Sequence, residues 1–140
     1  MKSIDMDKLE QAINSSPALS AVVNELEKSI ADEMGENNIG IDPFLILMLI
    51  SVIIQVVRFC QERNKQTDDV IVAALTGLDK LPLRRTIVLR RRVDKAWVEY
   101  CRNRNISATA PNPLLGALRT ISNKMTAETA QEFVAVAKTV

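Results

Sequence analysis

Between Ala18 and Met34 the apolar residues Leu19, Val22, Val23, Leu26, Ile30 and Met34 recur three and four positions apart, with polar residues in the gaps. That period lays one apolar stripe along an amphipathic helix. A shorter segment precedes it, with Ile4, Met6, Leu9 and Ile13 at mixed helical spacings. Ser15-Ser16-Pro17 separates the two and reads as an N-cap followed by a first-turn proline. Gly35 stands where a helix C-terminus favours glycine.

The pattern then changes. In "IDPFLILMLISVIIQVVRFCQERN", Ile41 to Asn64, no polar face is left. Asp42-Pro43 supplies an N-cap and a first-turn proline, and no formal charge follows until Arg58. Those fifteen residues span about 22 Å as a helix, against about 30 Å of bilayer hydrocarbon. The length suits a core helix better than a membrane span. A helix apolar on all sides has to be surrounded by something, and the amphipathic segments on either side can supply that wall. The competing reading inserts residues 43–60 into a membrane, with Arg58, Arg63 and Lys65 on the cytoplasmic side.

Downstream, the spacing predicts a short helix from Asp69 to Leu78, with Asp68-Asp69 as its cap, and a long one from Leu83 to about Asn105. Asn112-Pro113 opens another that ends near Lys124, and Thr126 caps a last one from Ala127 to Lys138. The expected fold is all-α: a bundle of six or seven helices around a central hydrophobic helix at about 43–62, forming one domain over 1–140. Composition agrees, since the chain is 47% hydrophobic but only 4% aromatic, with four Gly and five Pro.

Formal charge is +1, but its placement is uneven. Residues 1–57 carry three lysines against nine carboxylates, a net −6, and residues 58–140 carry fifteen basic and eight acidic residues, a net +7. The excess is concentrated in "LPLRRTIVLRRRVDKAWVEYCRNRN", where nine basic residues between Lys80 and Arg104 face only Asp94 and Glu99. Arg84, Arg91, Lys95 and Arg102 are spaced 7, 4 and 7 apart, within about 20° of one line on a helix, and Arg85 and Arg92 flank that line. Leu89, Val93, Ala96, Trp97 and Tyr100 take the opposite side. The helix therefore has an apolar side for the core and a cationic ridge suited to phosphate or carboxylate. A plainer use of the ridge is solvation, or pairing with Glu25, Glu27, Asp32, Glu33 and Glu36 of the acidic half.

Reactive chemistry is scarce. The chain has no histidine, which removes the commonest general base, His-assisted nucleophiles and most zinc sites. Neither G-x-G-x-x-G nor G-x-x-x-x-G-K-[ST] occurs. Cys60 and Cys101 read as small buried apolar residues. Asp32 and Glu36 share a helix face, but a cation site needs more carboxylates than these two. Neither metal nor cofactor is expected.

The N-terminal "MKSIDMDKLEQ" is acidic and periodic, so no signal peptide is expected, and the cytoplasm or an intracellular or viral particle is the expected location. These features favour a non-enzymatic structural or assembly subunit of a larger particle, for instance a virion. It would associate with other protein subunits as a homo- or hetero-oligomer. An acidic protein or nucleic acid would bind helix 83–105 through Arg84, Arg85, Arg91, Arg92, Lys95 and Arg102. The alternatives are a small membrane-associated protein and a DNA-binding regulator. For the latter, Ala73 and Gly77 have helix-turn-helix spacing, but Leu81-Pro82 interrupts the expected tight turn.

Overall fold

A computed structural model describes residues 3–34, 43–77, 83–105 and 112–140. These are all-α, with seven helices and no strand: α1 (Met6–Ser15), α2 (Pro17–Met34), α3 (Pro43–Glu62), α4 (Asp68–Thr76), α5 (Leu83–Asn103), α6 (Pro113–Lys124) and α7 (Ala127–Ala137). Gly35, Asp42 and the Leu81-Pro82 interruption lie outside the described residues.

The helix starts follow local capping chemistry. The Asp5 carboxylate accepts from the backbone N–H groups of Asp7 and Lys8 at 3.1 and 3.2 Å, satisfying donors that the first turn of α1 leaves without partners. Ser16 alone separates α1 from α2. Its N–H donates to the Ile13 carbonyl, and its hydroxyl accepts from Leu19 N–H at 3.2 Å. Pro17, which has no N–H to satisfy, takes the first position of α2. The Asn112 Oδ1 accepts from Leu114 N–H at 2.9 Å, and the Thr126 hydroxyl accepts from Thr129 N–H at 3.1 Å.

One cap differs from expectation. Asp68 and Asp69 lie inside the first turn of α4, whose N-cap is Thr67, rather than forming the cap themselves. Carboxylates are favourable there because the helix N-terminus carries partial positive charge. Asp68 also accepts from Lys138 Nζ at 2.8 Å, which ties α4 to the end of α7.

Helix α3 is central: it packs against each of the other six helices. Its buried side chains run from Leu45 to Arg58 and cover about 260° around the axis. What stays open is a strip about 60° wide, holding exposed Phe44, Gln55 and Phe59 and half-buried Met48. Around α3, α2 packs mainly on α6, and α7 bridges α3 and α4. Leu19, Leu26, Ile30, Leu114, Ile121 and Phe133 add fully or almost fully buried side chains to the same core as Leu49, Ile50 and Ile54. Burying each such aliphatic side chain stabilises the fold by about 1.5–3 kcal/mol before entropy is counted.

The charge that interrupts α3 is itself buried. Arg58 is 6% exposed, and its Nε and Nη2 donate to the Ala137 carbonyl at 3.3 and 3.2 Å. One turn on, Gln61 Nε2 donates to the Val134 carbonyl at 3.2 Å. Two side chains of α3 thus satisfy carbonyls in the last turn of α7, where helix geometry leaves acceptors open and the dipole favours a cation. By length and composition α3, with an 18-residue stretch of mean hydropathy 2.3, is the one helix among the described residues that could cross a membrane. Here its walls are other helices of the same chain.

Candidate docking surface

Helix α5 is anchored by its apolar side. Val93, Ala96, Trp97, Tyr100 and Cys101 are buried, and the Trp97 and Tyr100 rings stack 5.7 Å apart between centroids with 19° between planes. The Trp97 indole N–H is buried with no acceptor among the described residues, so this side chain contributes through its ring. Burial pushes the Cys101 thiol above its usual pKa, because the thiolate would lose its hydration. Cys101 and half-buried Cys60 are not joined by a disulfide. At the C-terminal end, the Arg104 guanidinium lies 5.2 Å from the Tyr100 ring centroid and 5.9 Å from that of Phe44. That contact commits one of the nine basic residues to holding α5 against the start of α3.

The other side of α5 faces outward. Arg91, Arg92, Lys95 and Arg102 are all exposed. Arg84 and Arg85 belong to its first turn, and their side chains lie outside the described residues. Arg91, Lys95 and Arg102 form a row about 16 Å long, within about 40° around the axis. Among the described residues no carboxylate forms an ion pair with any cation of that row; the ion pairs join Lys28 to Glu25 and Lys138 to Asp68. Among the described residues, then, the acids of the N-terminal half do not pair with the row. Glu25 pairs locally, Glu27 and Asp32 are exposed on α2, and α2 packs mainly on α6. The Glu33 side chain and Glu36 lie outside the described residues.

The periodicity did not single out the apolar residues on this same outward side. Ile87, Val88 and Val98 are 39%, 50% and 39% exposed. Val88 and Val98 lie about 40° to either side of the cationic row. A helical wheel centred on the row shows them, but a search for core residues passes over them.

Other places in the molecule have less to offer. Among the described residues no group of His, Cys, Asp and Glu side chains could hold a metal ion. A cleft of about 440 Å³ opens beside the end of α7, lined by Asp5, Lys8, Arg58, Gln61, Glu62 and Lys138. Its charges are of both signs, and Arg58 and Gln61 there already hold α7 carbonyls. Helix α4 leans chiefly on α7, whereas the two helices of a helix-turn-helix pack on each other.

Comparison with protein-family models, with curated proteins and with solved structures returns no match. The functional reading therefore rests on the geometry of this surface.

Proposed function

We propose that this protein is a non-enzymatic helical assembly subunit that docks an acidic partner on the outward face of α5. One observation supports this above the rest: three cations, Arg91, Lys95 and Arg102, stand in a row on a helix whose opposite side is locked into the core. A charged face on a rigid helix keeps its spacing, so little side-chain order has to be gained beyond the row itself. Arginine in the row favours two-pronged contact with carboxylate or phosphate oxygens. A purely solvated face is the competing account, and it predicts no dependence of any association on these residues.

The test reverses Arg91, Lys95 and Arg102 to Glu together and measures binding of the full chain to polyglutamate and to duplex DNA as salt is varied. Expected is loss of binding to at least one polyanion, with a flattened salt dependence. Unchanged binding to both would reject the reading.

A second reading has a specific observation behind it. The length and hydropathy of α3 permit insertion of residues 43–60 into a bilayer, with α5 on anionic headgroups. Burial of Arg58 against α7 supports the assembly reading instead. Fractionation without detergent separates them: carbonate-resistant pelleting favours insertion, and a soluble oligomer of defined native mass favours assembly.

A further inference from the structure

We infer that the partner of α5 is an acidic protein helix carrying aliphatic side chains beside its carboxylates, rather than a nucleic acid. This rests on the docking reading and specifies its occupant. On this face charge and apolar surface interleave. Val88 and Val98, 50% and 39% exposed, straddle the row of Arg91, Lys95 and Arg102, and Ile87, 39% exposed, widens the strip on the Val98 side.

A phosphate backbone has nothing apolar to set against two valines. Covering them with phosphate would strip water from its oxygens and return no hydrogen bond. A protein surface can offer both chemistries at once: arginine and apolar contacts together mark the centres of protein interfaces. Glu99 and Asp94 are also exposed, one on each edge of the face. A continuous polyanion meets both as repulsion, whereas a protein helix can place a cation opposite each one. The row has helical spacing, four and seven residues. A second helix lying alongside has the same repeat, so carboxylates at positions i, i+4 and i+11 meet it in register.

A second copy of this chain is a weaker occupant. Exposed acids do occur on α1 and α2, namely Asp7, Glu10, Glu27 and Asp32. Among the described residues, however, the large exposed apolar side chains lie on α3, α4 and α5, so those acidic faces lack the aliphatic half of the match.

The experiment pans a display library of 18-residue helical peptides, with outward positions randomised, against the full chain. It then measures the affinity of the selected peptides, a 30-base-pair duplex DNA and phosphatidylserine vesicles by titration at fixed salt. Three proteins are compared: the parent, V88S/V98S and R91E/K95E/R102E, each checked for native helicity. Expected is enrichment of carboxylates at helical spacing beside aliphatic residues. Affinity for those peptides should fall roughly tenfold in V88S/V98S, the loss anticipated from two half-buried methyl pairs, and further in the charge reversal. DNA binding should be indifferent to the serine changes, and vesicles should bind more weakly than the selected peptides.

The inference is overturned if no acidic pattern is enriched. It is also overturned if DNA or vesicles bind more tightly than any selected peptide and depend on the arginines, whatever the effect of the valines; in that case docking stands and the partner class fails. If the charge reversal leaves all three probes unchanged, the docking reading itself fails.

Discussion

Replacing Arg58 with methionine keeps most of the side-chain length and removes the donors. In the native packing those donors reach the Ala137 carbonyl at 3.3 and 3.2 Å from a site only 6% exposed. Ala137 is itself 2% exposed with Arg58 in place, and it lines the cleft at the end of α7, from which water can replace part of what the guanidinium supplies. A hydrogen bond from a charged donor contributes about 1.5–3 kcal/mol, and a buried acceptor left without a partner costs about 1–3 kcal/mol. These describe one loss from two sides and are not summed. Both bonds are long, so R58M should cost about 2 kcal/mol. R58A also removes the packed stem and should cost about 3–4 kcal/mol. The assay is urea unfolding in detergent-free buffer, followed by helicity and by fluorescence of Trp97, the one tryptophan in the chain. If α3 faced lipid, with Arg58 reaching for the interface, an uncharged residue of similar length would be neutral or stabilising. An R58M midpoint equal to or above that of the parent would therefore refute the account of Arg58 as a buried tie between α3 and α7.

Three further outcomes follow from the same packing. I54A removes a fully buried side chain from α3 and should cost about 2–5 kcal/mol in the same assay, whereas its exposed neighbour permits Q55A within about 0.5 kcal/mol. R104A loses its contacts with the Phe44 and Tyr100 rings and should cost about 1 kcal/mol while leaving polyanion binding unchanged. The raised pKa of Cys101 means that the folded protein holds its thiol proton more tightly than the unfolded chain does. The contribution of Cys101 to stability should then be level below about pH 8.5 and fall above it, so C101A should reduce any alkaline slope in unfolding curves taken across pH.

Most of the helix order was legible along the chain, because periodic apolar residues and the caps at Ser16, Asn112 and Thr126 act within a few residues of themselves. The position of α3 at the centre was also legible, since a helix without a polar face has to be covered all round. The cationic row was visible as a spacing, but the uses of its neighbours were not. Arg104 looks like one more cation until α3 brings Phe44 to within 5.9 Å of it. Val88 and Val98 fall beside the row by helical phase, but only the packing of α5 leaves them 50% and 39% exposed. Asp68 looks like a cap until Lys138, seventy residues away, arrives at 2.8 Å.

Local sequence thus determined which segments become helices and where most of them begin, since hydrogen bonds and side-chain periods within one turn decide both. Tertiary structure alone decided that Arg58 is buried rather than stretched toward solvent, because its acceptor sits on a helix brought alongside by the core. It likewise decided that, among the described residues, no carboxylate pairs with Arg91, Lys95 or Arg102. Both outcomes depend on groups distant in the chain becoming neighbours, and no spacing along the chain encodes that meeting.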